Sequence, residues 1–249
     1  MTSPRAGPSG GAQAPDALRL ERVSKSYGRH RALIDVSLTF AAGRVAAVLG
    51  PNGAGKSTML GILSTLVPPS SGRVSWGDDT LGRSSLLRSR IGYVGHEPGV
   101  YGDLTATENL RLFCRLYGMA DGEERTARLL TRVGLGDVRK DATVRTFSRG
   151  MQQRLALARA LLPEPELLLF DEPGSALDPA GAAWLTAEMV RERAAGRIVV
   201  LVTHDLDAAA AVAEQIVVLR RGRVVFDAVV AGRIGAPELR ALYEEKTHA

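Results

Sequence analysis

The chain has 249 residues, 45% of them hydrophobic and 24% charged, with a formal net charge of +5 at neutral pH. That length suits one α/β domain with an accessory lobe, or two small domains, and no apolar run approaches the ~18 residues of a membrane-spanning helix. The basic residues are mostly arginines scattered along the chain, which speaks for solvated helix faces rather than a nucleic-acid groove, and the lone Cys114 leaves no disulfide framework or zinc spacing.

Residues 1–15, MTSPRAGPSGGAQAP, are rich in Pro, Gly, Ser and Ala and lack the apolar centre of a secretory signal, so a disordered tail is expected. From Leu18 the pattern is strand-like: LRLERV, VSLTF and RVAAVLG. A helix is expected over 55–66, stopped by Pro68-Pro69, followed by short strands at GRVSWG and RIGYVG. Helical stretches are expected over 105–117, 123–133 and 149–162. ELLLFDE reads as a strand buried on both faces. A helix over 180–194 leads to the strand RIVVLVT, and a helix over 206–214 precedes two short strands, QIVVLR and RVVFD, joined at Arg221-Gly222. The stretch 237–245 is expected to be helical. Alternating strands and helices imply a mostly parallel sheet, and the block between about 97 and 165 breaks the alternation, so it should form a lobe of its own.

GPNGAGKST, residues 50–58, follows an apolar strand and opens a helix, the context of a phosphate-binding loop. Gly50, Gly53 and Gly55 let the backbone turn with its N–H groups converging, and the helix adds its positive amino end. Lys56 is expected to reach the terminal phosphates as a point charge, Ser57 to offer a hydroxyl to Mg²⁺, and Thr58 to hold an inner phosphate. Asp171 and Glu172 end the strand LLLFD, at the edge of an open α/β sheet where ligands bind. Side chains alternate along a strand, so Asp171 is assigned to Mg²⁺ and Glu172 to the attacking water as general base. His204, just past RIVVLVT, belongs to the same edge and within reach of a γ-phosphate. The turn Ser148-Arg149-Gly150, ahead of a basic helix, has the makings of an anion-binding helix end away from the local phosphate loop, which suggests that another copy supplies the nucleotide.

Together these motifs resemble the nucleotide-binding subunit of ATP-binding cassette (ABC) transporters, from about Leu18 to Asp227. GPNGAGKST, with Pro51, Asn52 and Ala54, resembles the family's Walker A; LLLFDE its Walker B; FSRGMQQRLALARAL its signature; GSALD, ending at Asp178, its D-loop; THD its switch-histidine loop. The resemblance implies an α/β P-loop NTPase (RecA-like) fold: a mostly parallel sheet core, an antiparallel β subdomain and an inserted helical subdomain. An ATPase domain over 16–230 and a C-terminal helical extension over 231–249 follow. It further implies ATP and Mg²⁺ as ligands, Tyr27 stacking on adenine, and Asp178 at the site. Two copies would close head to tail, each presenting Ser148 and Gly150 to the other's γ-phosphate, and drive a polytopic membrane permease from the cytoplasmic face of the membrane. ATP hydrolysis would then power transport.

Two departures stand out. The common LSGGQ is here Phe147-Ser148-Arg149-Gly150-Met151, and His96 stands where many members carry Gln. The stretch from IGYVGHEPGVYGDLTATENLRLF to Leu116 resembles the haem-exporter ATPase subunit of cytochrome c maturation, and also drug- and lipid-type exporter subunits. His96–Leu104 is expected to dock the permease. A P-loop GTPase is disfavoured because no Asn-Lys-x-Asp follows; a ribosome- or DNA-acting relative is disfavoured because the chain carries one cassette and no coiled-coil insertion.

Overall fold

The computed structural model describes residues 17–248 apart from 78, 82–86, 139–140, 176, 231 and 233; the tail expected over 1–15 lies outside them. Two sheets organise the chain. The first is antiparallel, in the order β2(His30–Ala41), β1(Ala17–Tyr27), β4(Ser71–Trp76), β5(Asp79–Thr80). The second places β3(Arg44–Leu49) between β9(Gln215–Arg220) and β8(Ile198–Val202), and continues through β7(Leu167–Asp171) to β6(Ile91–Val94). These five strands are mutually parallel, and β10(Arg223–Val229) closes the edge antiparallel to β9.

Parallel order follows from the connections. α1(Lys56–Leu63), α4(Arg149–Leu161), α5(Pro179–Ala194) and α6(Leu206–Val212) each return the chain to the starting edge. The strand sequences LLLFD, apolar up to its terminal Asp171, and IVVLV are covered on both faces, and every residue of both strands is buried. The alternation of a pleated strand sorts them into two cores. Leu167, Leu169, Ile198, Val200 and Val202 face α1 and the antiparallel sheet, while Leu168, Phe170, Val199 and Leu201 face the helical side.

The helical block expected to stand apart contains α2(Ala106–Leu116) and α3(Gly122–Arg132), followed by α4. α2 starts where the sequence writes Thr105-x-x-Glu108: Thr105 Oγ1 accepts from Glu108 N at 3.2 Å, and Thr105 N donates to Glu108 Oε2 at 2.8 Å, a reciprocal capping box. Leu110, Leu130 and Leu155 meet in one apolar cluster with the sheet residues Leu168 and Phe170, so the lobe is welded to the sheet. A third cluster covers the far end of the same face. There α6 and α7(Ala236–His248) pack on β3 and β9 through Ala209, Leu239, Leu49 and Val218.

Candidate nucleotide-binding and hydrolytic site

Because the five strands are parallel, the loops leaving β3, β6, β7 and β8 emerge on one edge. Asp171 pairs in register with Val202, which pairs with Val48, so the ends of these strands lie level. Gly50, His96, Glu172 and His204 each follow within two residues of that line. A cleft of about 290 Å³ opens there, floored by Gly53 to Thr58 and walled by Asp171 and Glu172.

The cradle is built by exclusion of side chains. Gly50 has φ +152°, and a Cβ on it would lie 2.3 Å from Leu219 O; Gly55 has φ +105°, and a Cβ there would lie 2.4 Å from Ala32 O. Only glycine lets the loop run this close to β9 and β2. Gly55 also starts α1 without a side-chain cap, and no acidic residue occupies the helix's first turn. Its amino-terminal N–H groups therefore remain for an external anion. Lys56 is buried, donating from Nζ to Gly50 O at 2.6 Å and to Pro51 O at 3.1 Å. Burial lowers its pKa, opposed by the negative charges of Glu172 and Asp171.

Both acids line the cleft, but their surroundings differ: Asp171 ends β7, and Glu172 lies just past it, outside the strand. Asp171 is buried, and burial, with Glu172's charge second, raises its pKa against hydrogen bonds from Ser57 and Tyr93. Tyr93 reaches its Oδ2 at 3.5 Å. Glu172 sits in the left-handed region at φ +50°, uncommon for a residue with a side chain. Its Oε2 lies 2.9 Å from His204 Nδ1 and accepts from Thr203 Oγ1 at 3.2 Å and from His204 N at 3.3 Å. The carboxylate is thus held by three contacts, one of them from an exposed imidazole.

The family pattern described as ABC transporter matches residues 33–175, more than half of the chain. The chain belongs to the ABC transporter family. It is of the family's ATP-binding, ATP-hydrolysing class. The daunorubicin resistance ATP-binding protein DrrA3 of Streptomyces coeruleorubidus is 39% identical over 85% of this chain and 68% of its own length. The lantibiotic transport ATP-binding protein SrtF of Streptococcus pyogenes is 33% identical over 92% of this chain and 99% of its own. A dimeric ATP-binding cassette in a post-hydrolysis state bound to ADP and Pi superposes with a TM-score of 0.79 at 30% identity, covering 86% of this chain and 99% of that one.

The remaining site candidates of this ABC ATPase are spread around the cleft. Tyr27 is half exposed and pairs across the β1–β2 turn with His30, which lines the cleft, while Tyr27 itself is not among the lining residues. His96 is exposed beyond β6. Ser148, Gly150 and Asp178 are not among the cleft's lining residues. Within the chain Ser148 caps α4, accepting from Met151 N at 3.2 Å, and Asp178 caps α5, accepting from Gly181 N at 2.8 Å. The two turns touch: a Cβ on Gly150 would meet Leu177 Cδ2 at 3.6 Å. Sequence reading missed Thr203, Tyr93 and His30. The first two sit beside named motif residues, and His30 carries no signal of its own.

The donor set suits Mg²⁺. Among the described residues no group of three or more His, Cys, Asp and Glu is arranged to hold a metal by protein atoms alone. The hydroxyl of Ser57, hydrogen-bonded to Asp171, is instead the sparse oxygen set of an ion that takes most of its ligands from phosphate and water. Among the described residues no helix is long and apolar enough to cross a membrane.

Proposed function

We propose that this chain hydrolyses ATP at a cleft completed by a second, identical copy, and thereby powers export through a polytopic permease at the cytoplasmic face of the membrane. The observation that carries the reading is the Glu172 carboxylate, held by Thr203 and His204 at the wall of a cradle floored by Lys56 and Ser57. ATP lies with its phosphates on the loop from Gly50 to Thr58 and its adenine against Tyr27. Lys56 turns from the carbonyls of Gly50 and Pro51 to the outer phosphates. Ser57 and, directly or through water, Asp171 would hold Mg²⁺, which would offset the charge that develops on the phosphoryl oxygens. Glu172 accepts the proton of the attacking water, and His204 steadies that carboxylate and reaches the γ-phosphate. His96 takes the place that many members give to Gln, as an imidazole able to hydrogen-bond a metal-bound water. Ser148 and Gly150 lie outside their own cleft, which is the arrangement a head-to-tail pair uses. Asp178, beside them, faces the same junction.

The dock for the permease is His96–Leu104, where Tyr101 is half exposed. Names of relatives favour a drug- or peptide-type cargo over haem: two act in daunorubicin resistance and lantibiotic transport. The test is Glu172→Gln. Hydrolysis should fall ~10²–10⁴-fold, as loss of a general base does, while ATP binding persists and nucleotide drives a dimer in size-exclusion chromatography. Parental turnover by the variant overturns the assignment.

A further inference from the structure

α6 is short and small. Its sequence is LDAAAAV, and a seven-residue helix has little stability of its own in water. It nevertheless begins two residues after His204, and its entry is tied to the hydrolytic carboxylate by an unbroken run of hydrogen bonds. Asp205 Oδ1 accepts from Asp207 N and Ala208 N, each at 3.0 Å; Asp205 N donates to Thr203 Oγ1 at 3.0 Å; Thr203 Oγ1 donates to Glu172 Oε2 at 3.2 Å. Whatever fixes α6 therefore fixes Thr203 and His204 on Glu172.

The outward cover of α6 is α7. Leu206, Ala209, Ala210 and Ala213 form one stripe; Ala236, Leu239, Leu242 and Tyr243 form the opposing one, at the spacing of an amphipathic helix. Leu239 has no exposed surface, and the cluster it fills runs on to Leu49, the last residue before the phosphate loop. At the rim Arg240 lies 3.5 Å from Asp207, in α6's first turn.

We propose that Leu239 is a positioning residue for the hydrolytic pair: by seating α7 on α6 it holds His204 against Glu172, and loosening that seat slows hydrolysis without releasing nucleotide. The inference rests on the hydrolytic reading of Glu172 and His204. It is tested in the full chain with Leu239→Ala and, as conservative control, Leu239→Met. His204 Nδ1 lies 2.9 Å from Glu172 Oε2, within hydrogen-bond distance, so the ring ¹⁵N shifts of His204, assigned by their loss in His204→Gln, report that bond.

Leu239→Ala should lower kcat about tenfold, less than the ~10²-fold that a 1 Å misplacement at a reacting centre can cost, with KM for ATP unchanged and the Nδ1–H signature lost. Leu239→Met should restore all three. Retention of the signature in Leu239→Ala overturns the proposal, including where activity and thermal stability fall together. Leu242→Ala trims the same face at a half-buried position and carries the same readouts if the larger lesion depletes folded protein; a parental signature there is equally fatal. Absence of ATPase activity in the parent chain would sink the hydrolytic reading instead, leaving the ¹⁵N arm to decide the brace.

Discussion

Asp171 and Glu172 are neighbours with opposite circumstances. Asp171 is buried and its pKa is raised, burial first and Glu172 second. A carboxyl whose folded pKa exceeds its unfolded one binds its proton more tightly when folded. Its contribution to stability is therefore complete below the unfolded value of about 4 and is lost as pH rises through the raised value. Asp171→Asn removes that loss. The nucleotide-free variant should melt about 2–4 °C above the parent at neutral pH, the gap closing towards the ordinary aspartate range, while Mg²⁺-dependent ATP binding weakens. Equal melting temperatures at neutral pH would show that burial of this charge costs nothing. Glu172 carries its strain in the backbone, at φ +50°, fastened by Glu172 N donating to Val202 O at 2.9 Å. A strained residue aimed by three hydrogen bonds is stability given up for placement.

At the scale of elements, a single residue often serves a helix and the site together. Ser148 is read from sequence as an anion contact, and the chain itself shows it as the cap of α4. The two roles separate in Ser148→Asp. Its carboxylate still accepts from Met151 N, so α4 and the thermal midpoint should hold, but a negative charge placed against another copy's phosphate should abolish most ATPase activity. Full activity in this variant would contradict the in-trans reading. The elements themselves were largely legible. Strand and helix periods are local, and the expected segments 149–162, 180–194 and 166–172 match α4, α5 and β7 to within a residue or two. The two-residue β5 was not legible, because its pairing to β4 is made by the neighbouring strand rather than by any pattern of its own.

Over the whole molecule, α3 is joined to α5 by a buried ionic cluster. Arg132 donates to Glu188 Oε2 from Nε at 2.9 Å and from Nη2 at 2.6 Å, and also to Glu192; both glutamates are almost fully buried, and Arg197 completes the second pair. Arg132→Ala would strand part of this negative charge in the interior. The expected loss is ~3 kcal/mol, the low end for a broken buried pair because Arg191 and Arg197 remain. Denaturant titration measures it, and a loss under a third of that would mean water reaches the cluster.

What the sequence by itself determined is whatever contiguous residues can express: the phosphate loop, whose glycines, lysine and hydroxyls act as one short segment, and the apolar strands that lead to it. Those features depend on backbone geometry and on the two-residue period of a strand, both local. Only the tertiary structure decided that Glu172 is held by Thr203 and His204, that Asp171 is met by Tyr93, and that α7 lies over α6. These partners come from separate strands and helices, and it is the common register of a parallel sheet, with the covering of its two faces, that brings them to one edge.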